Sequence, residues 1–306
     1  QIHRRDQKTF FEFTMTDPDE LYTLRAQYWL GHYQLCLDEA KTIARRPMSA
    51  ELKAEREEYI QRANLALGNY DKVTGGDTGG LKAIELKCQY EQATTEEAQK
   101  SVVDKMKVLV AAEGSPNVQL YGAQMYLQHG MTKDALQCVH MGATMEHISM
   151  SLQIYLKLDR IDLAQEQLSS LRQQDEDAVL TSLGSILISL ATGRSTAGDA
   201  LHLCNALSEQ YGPSPLLLNL MACAHMTLES YEDAEQRLLE CKREYPGAPN
   251  SDTLINLIVC SQYLKKDAKP YLGELQEGFP AHPFCQAYGR VVGAFDREAA
   301  KYKVKA

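Results

Sequence analysis

The chain has 306 residues, 44% hydrophobic and 24% charged, which is enough apolar material for a sizeable core and too much for a disordered polypeptide. A formal net charge of −9, with 41 acidic against 32 basic residues, argues against a nucleic-acid binder that must neutralise phosphates over a broad face. Eight cysteines spaced eighteen residues or more apart give no metal knuckle or redox pair, and several sit among Ala and Leu where a reduced thiol packs as a small hydrophobe. No apolar run reaches the ~20 residues that span a bilayer; the longest candidate, Val179 to Ala191, is broken by Thr181, Ser182, Ser185 and Ser189.

In chain order, residues 1–14 carry no apolar signal core and precede Met15, so they read as an upstream extension to a single helical-repeat domain over 15–306. Apolar periodicity and start and stop residues then predict helices near 18–30, 33–45, 50–67 and 69–74. Thr74-Gly-Gly-Asp-Thr-Gly-Gly80 reads as a flexible loop, followed by helices near 81–91 and 95–112, the latter opened by Thr95-Glu-Glu-Ala. Helices follow near 116–129, 132–141, 145–158, 161–173, 176–192, 196–211, 214–228, 231–244, 250–264 and 270–277, and a last amphipathic helix, 283–303, is expected to cap the array. Asn117-Val-Gln-Leu-Tyr would pass for a strand in isolation, and its place in a repeat decides for helix.

The repeat shows in the prolines. Pro213, Pro246 and Pro280 are 33 and 34 residues apart, and Pro215, Pro249 and Pro283 are 34 and 34 apart. That is the period of the tetratricopeptide repeat, whose unit is two antiparallel helices that bury their apolar stripes only by stacking on the next unit. The small residue needed where the two helices cross is found at Ala200, Ala234 and Ala268, again 34 apart. Cys36, Val73, Ala135 and Ala164 are read as its equivalents upstream, with Gly31, Gly68, Gly130 or Asp159 in the preceding turn. The fold class expected is therefore all-α, a tetratricopeptide-like right-handed helical solenoid with irregular repeats.

Phosphate-binding glycine loops, dinucleotide fingerprints, nucleophile elbows and HExxH pairs do not occur, so no enzyme, cofactor or metal is expected. His140 and His147 are separated by a turn, His225 reads as a core histidine, and Asp175-Glu-Asp177 as a solvated loop before a helix. Trp29 reads as a packing residue. What remains is protein binding. The first helix of each unit lines the concave face, and the positions not used within a repeat are expected to meet a partner: Leu120, Gln124, Leu127 and Gln128; Ser149, Gln153, Leu156 and Lys157; Asn219, Cys223, Met226 and Thr227. This set is neutral and mixed apolar. The first two units hold Leu21, Arg25, Glu58 and Arg62 inward, without the asparagines of a clamp for a chaperone's C-terminal carboxylate, which disfavours a chaperone adaptor.

Several segments go beyond what a repeat demands. Leu152-Gln-Ile-Tyr-Leu-Lys-Leu-Asp-Arg-Ile-Asp-Leu-Ala164, Gln174-Asp-Glu-Asp-Ala178 and Leu190-Ala-Thr-Gly193 resemble the central region of coatomer epsilon subunits, components of the COPI vesicle coat. Tyr28-Trp-Leu-Gly-His-Tyr-Gln-Leu-Cys36, Thr253-Leu-Ile-Asn-Leu-Ile-Val259, Ser261-Gln-Tyr-Leu and His282-Pro-Phe284 extend the resemblance over Asp17 to Tyr302, with Asp71 to Ser115 following the family poorly. The resemblance implies a non-enzymatic coat subunit that holds and stabilises the C-terminal domain of the coatomer alpha subunit. It implies residence in the cytoplasm and peripherally on Golgi membranes and vesicles, and a part in Golgi-to-ER and intra-Golgi transport. The alternative left by the residues alone is another repeat adaptor or co-chaperone scaffold that binds a protein segment.

Overall fold

Short polar side chains and prolines set where the helices begin. Ser49, Thr78, Thr95, Thr144 and Ser214 each accept a hydrogen bond from the backbone N–H three residues on. Pro116, Pro215, Pro270 and Pro283 occupy first turns, where the missing N–H is not needed. The computed structural model describes residues 19–142, 144–246 and 251–302, and among them no strand is formed. The helices are α1 (Tyr22–Trp29), α2 (Tyr33–Ile43), α3 (Ala50–Ala66), α4 (Gly79–Gln92), α5 (Glu96–Ala112), α6 (Pro116–Gln128), α7 (Thr132–Val139) and α8 (Met145–Lys157). They continue as α9 (Ile161–Gln174), α10 (Val179–Thr192), α11 (Ala197–Tyr211), α12 (Pro215–Thr227), α13 (Tyr231–Glu244), α14 (Ser251–Tyr263), α15 (Lys269–Gly278) and α16 (Pro283–Lys301). Residues 1–14, Pro249, Asn250 and Lys303, on which parts of the sequence reading fall, lie outside the described residues.

Neighbours in sequence pack as pairs, α1 on α2, α4 on α5, and so on to α14 on α15. The first helices of successive pairs also touch, α4 on α6, α6 on α8, α8 on α10, α10 on α12 and α12 on α14, which is the stacking a solenoid requires. At the helix crossings Cys36, Ala135, Ala164, Ala200 and Ala234 are fully buried, as their small size predicts. The turns ahead of them hold Gly31, Gly68, Gly130 and Asp159 at positive φ, and Glu229 and Lys265 take the same conformation in later turns.

Three local readings are corrected. Residues 69–74 form only a 3-10 turn, Tyr70–Lys72, with Val73 extended after it, so Val73 is not a crossing residue in a helix. Ala268 is the N-cap of α15 and only half-buried, so that unit lacks the tight crossing of the others. Gly79 and Gly80 are the first turn of α4 rather than loop, because the Thr78 hydroxyl caps the helix there. Gly80 is required by packing: a Cβ at that position would collide with the Glu58 carboxylate of α3.

A candidate interaction surface and its closed end

The solenoid does not remain open at its N-terminal end. Ala26 of α1 and Leu30, which caps it, join Val179, Leu183, Leu217 and Leu218 of α10 and α12 in one buried cluster. The ring of His32 meets the Gly212 carbonyl at 3.2 Å, and the Tyr22 and Tyr211 hydroxyls are 3.4 Å apart. The first helices thus lie across the N-terminal ends of α8, α10 and α12, in contacts that span from 84 to 189 positions of sequence.

A buried polar cluster fixes this arrangement. The Arg62 guanidinium of α3 donates to both oxygens of Glu146 at the start of α8, at 2.7 and 3.3 Å, and Trp29 of α1 donates its indole N–H to the same carboxylate at 2.8 Å. Arg62 also stands over the rings of Tyr28, Tyr59 and Tyr121, 4.3, 4.6 and 5.2 Å from their centroids. One cation is therefore paired with both oxygens of a carboxylate and set against three aromatic rings, which offsets much of its desolvation. Burial opposes ionisation of Glu146, but Arg62 and the indole outweigh it and hold the carboxyl below its usual range. Glu58, four residues before Arg62, accepts from Asn117 Nδ2 at 2.7 Å and from the Tyr121 hydroxyl at 3.0 Å. Burial dominates there, and its carboxyl is pushed up. Beside Glu146, His147 is locked between the Thr144 hydroxyl and the Pro116 carbonyl, at 2.6 and 3.0 Å, and burial pushes its imidazole down.

This closure decides which sequence-predicted partner residues are accessible. Leu21, Glu58 and Arg62 are buried, and Arg25 is paired with Asp19 and Glu55, so the inward positions of the first units are consumed by internal contacts. In the later helices the N-terminal positions are covered as well: Leu120 is 2% and Ser149 6% exposed, so these two are packing residues rather than free ones. The C-terminal halves of α6 and α8, and α12 from Asn219 on, keep open positions. Gln128, Gln153 and Lys157 are exposed, and Gln124, Leu127, Leu156, Asn219, Cys223, Met226 and Thr227 are half-buried.

Internal bonds organise this row. Lys87 donates to Gln124 at 2.7 Å, Gln128 donates to Glu91 at 2.7 Å, and Lys157 Nζ caps the Leu127 carbonyl at 3.3 Å. Desolvation lowers the Lys87 ammonium to about 8. Asn219 bridges repeats by donating to Thr253 at 2.8 Å and accepting from Asn256 at 3.1 Å, while the Thr227 hydroxyl is spent on the Cys223 carbonyl. Leu127, Leu156 and Met226 each pack one side against the core beneath. The surface offers amides, two ammonium groups and half-exposed aliphatic side chains, which suits a protein segment. Among the described residues no cluster of His, Cys, Asp or Glu is arranged to hold a metal, and all eight cysteines are free thiols.

Comparison with known proteins fits the geometry. Solved structures with the same course of helices include a tetratricopeptide repeat protein from Parabacteroides merdae, with a TM-score of 0.55 at 11% identity over 83% of this chain and 96% of that one. The Cut9–Hcn1 hetero-tetramer of the APC/C gives a TM-score of 0.59 at 12% identity, over 88% of this chain and 54% of that one. At these identities the likeness shows the fold alone. In sequence, the model of the coatomer epsilon subunit family matches residues 17–303. The chain belongs to the coatomer epsilon subunit family. Coatomer subunit epsilon-2 of Oryza sativa subsp. indica is 33% identical over 92% of this chain and 96% of that protein. Coatomer subunit epsilon-1 of Arabidopsis thaliana is 30% identical over 93% and 97%, and the epsilon subunit of Dictyostelium discoideum 28% over 93% and 99%. The family match runs through both the closing residues Arg62 and Glu146 and the open row on α6, α8 and α12.

Trp29 does more than the packing expected of it, since its indole N–H adds a polar tie to Glu146. Nothing in the sequence marks Glu146 as the partner of Arg62, 84 positions away, because ion pairs between distant repeats leave no periodic trace.

Proposed function

We propose that the chain is a non-catalytic structural subunit of the COPI coat that holds and stabilises the C-terminal domain of the coatomer alpha subunit. Its place is then the cytoplasm and, through other coat subunits, the Golgi membrane and its vesicles, in Golgi-to-ER and intra-Golgi transport. The observation that carries this reading is the family match over residues 17–303, joined to a solenoid whose open row carries amides, half-buried aliphatic side chains and no acidic residue. No described helix is long and apolar enough to cross a membrane, which agrees with peripheral recruitment. The contact set proposed is the accessible part of the row: Gln124, Leu127, Gln128, Gln153, Leu156, Lys157, Asn219, Cys223, Met226 and Thr227. Burying its aliphatic parts supplies about 25 cal/mol per Å² of apolar area removed from water.

The test is titration of the purified chain with the purified C-terminal domain of the alpha subunit. Leu127→Asp, Leu156→Asp and Met226→Asp each put a charge into a desolvated contact and are expected to weaken the complex. Because these three side chains also touch the core, each needs a melting curve beside its affinity. Gln153→Trp is the cleaner probe: it adds bulk on an exposed position without touching the core. Undiminished affinity in all four variants moves the partner off this row.

A further inference from the structure

The last helix presents an apolar stripe that nothing in the described chain covers. In α16, Phe284, Tyr288, Val291 and Phe295 recur at helical spacing, with Val292 beside them and Tyr302 as the C-cap, and the helix buries no residue. Phe284 and Cys285 in its first turn pack on the core formed by α14 and α15, so α16 continues the array. Beyond that turn Val291 is 68%, Phe295 72% and Tyr302 81% exposed. Together these side chains leave a row of exposed apolar groups along one helix, the kind of surface that marks an interaction site. In the order of the solenoid α16 stands where a first helix of a pair stands, and the equivalent side of α14 is covered by α15. Among the described residues no second helix follows to cover α16.

Charge narrows what can lie there. From Pro283 onward the sequence holds five basic residues, Arg290, Arg297, Lys301, Lys303 and Lys305, against Asp296 and Glu298, in a chain whose net charge is −9. A second copy would bring net-basic segments together, and an anionic bilayer would meet the acidic remainder of the chain. We propose that the α16 stripe docks an amphipathic α-helix of the partner chain, apolar on one side and acidic at its flanks, which covers α16 as α15 covers α14. The inference rests on the alpha-subunit reading for the identity of that chain, and it adds a second contact area outside the open row of α6, α8 and α12.

The experiment uses the full chain and the purified C-terminal domain of the alpha subunit. Val291→Glu and Phe295→Glu change exposed side chains, so wild-type melting is expected together with affinity reduced at least tenfold. Arg290→Glu with Arg297→Glu should weaken binding by a similar factor, and wild-type affinity should fall with added salt. If the domain binds but both sets of variants bind like wild type, the inference is overturned and the alpha-subunit reading stands. No binding by the wild-type chain overturns both. Sedimentation showing a dimer abolished by Phe295→Glu, or flotation with phosphatidylserine vesicles lost in the same variant, each with unchanged affinity for the alpha domain, overturns it by assigning the stripe another occupant.

Discussion

Arg62 is stabilised by a carboxylate from one distant helix, an indole-held geometry from another and three aromatic faces, so its partners are not interchangeable. The pair is shielded, with side-chain exposures of 6% for Arg62 and 21% for Glu146. Glu146→Gln leaves a buried guanidinium without its counter-charge and is expected to cost about 3–5 kcal/mol in unfolding free energy. Replacing both residues by apolar ones of similar volume should cost less than that single change, which chemical denaturation of the two single variants and the double variant would reveal. Glu58 should behave oppositely, since burial raises its pKa and its neutral form is the one the fold prefers. Its stabilising contribution is therefore present at low pH and fades as pH rises through the raised value, so Glu58→Gln should hold or raise the melting temperature at pH 7.5. His147 and His32 carry depressed pKa values from burial, so the unfolded chain binds their protons more readily than the folded one. Their contribution is complete above the ordinary histidine value of about 6.5 and is lost as pH falls below it. Melting curves from pH 7.5 to 5.5 should decline, and the slope should flatten in His147→Gln.

At the scale of the helix pair, the fold depends on small residues at crossings and on left-handed turns before them. Ala234→Asp buries a charge where α12 and α13 meet and should cost several kcal/mol, with loss of helical signal from that unit, whereas Gln236→Lys on the outer side should change melting little. Gly31 combines φ of +81° with a position where a Cβ would stand 3.3 Å from Leu216 Cβ, so Gly31→Ala should cost about 1–2 kcal/mol and loosen the docking of α1 on α12. This is the scale at which the sequence is most readable. Helix starts announce themselves through Ser, Thr and Pro, crossings through Cys36 and the alanines, and turns through Gly31, Gly68, Gly130 and Asp159. The failures share one cause, a tertiary contact with no local signature. Gly80 has to be glycine because Glu58 of α3 needs the space, and Leu120 and Ser149 are buried because neighbouring helices cover the N-terminal halves of α6 and α8. Glu229 and Lys265 adopt the turn conformation without being Gly, Asn or Asp, so residue type carries no hint of them.

For the whole molecule, closure of the N-terminal helices over α8, α10 and α12 converts a row of repeats into a body with one end sealed by internal contacts. The two regions proposed for a partner, the open row on α6, α8 and α12 and the stripe of α16, lie outside that sealed end. A sealed end also reduces the ordering that binding must drive, since the open row is held in place before the partner arrives. A helical solenoid is legible in the sequence, but the meeting of Arg62, Glu146 and Trp29 across repeats is not, and only the folded chain shows that. Hydrogen–deuterium exchange on the chain, free and with the C-terminal domain of the coatomer alpha subunit bound, tests the account most directly. It predicts new protection concentrated in the C-terminal halves of α6, α8 and α12 and along α16, with α1 and α3 already protected in the free chain. Protection confined to the second helices α7, α9, α11 and α13, or no change on adding the domain, would contradict it.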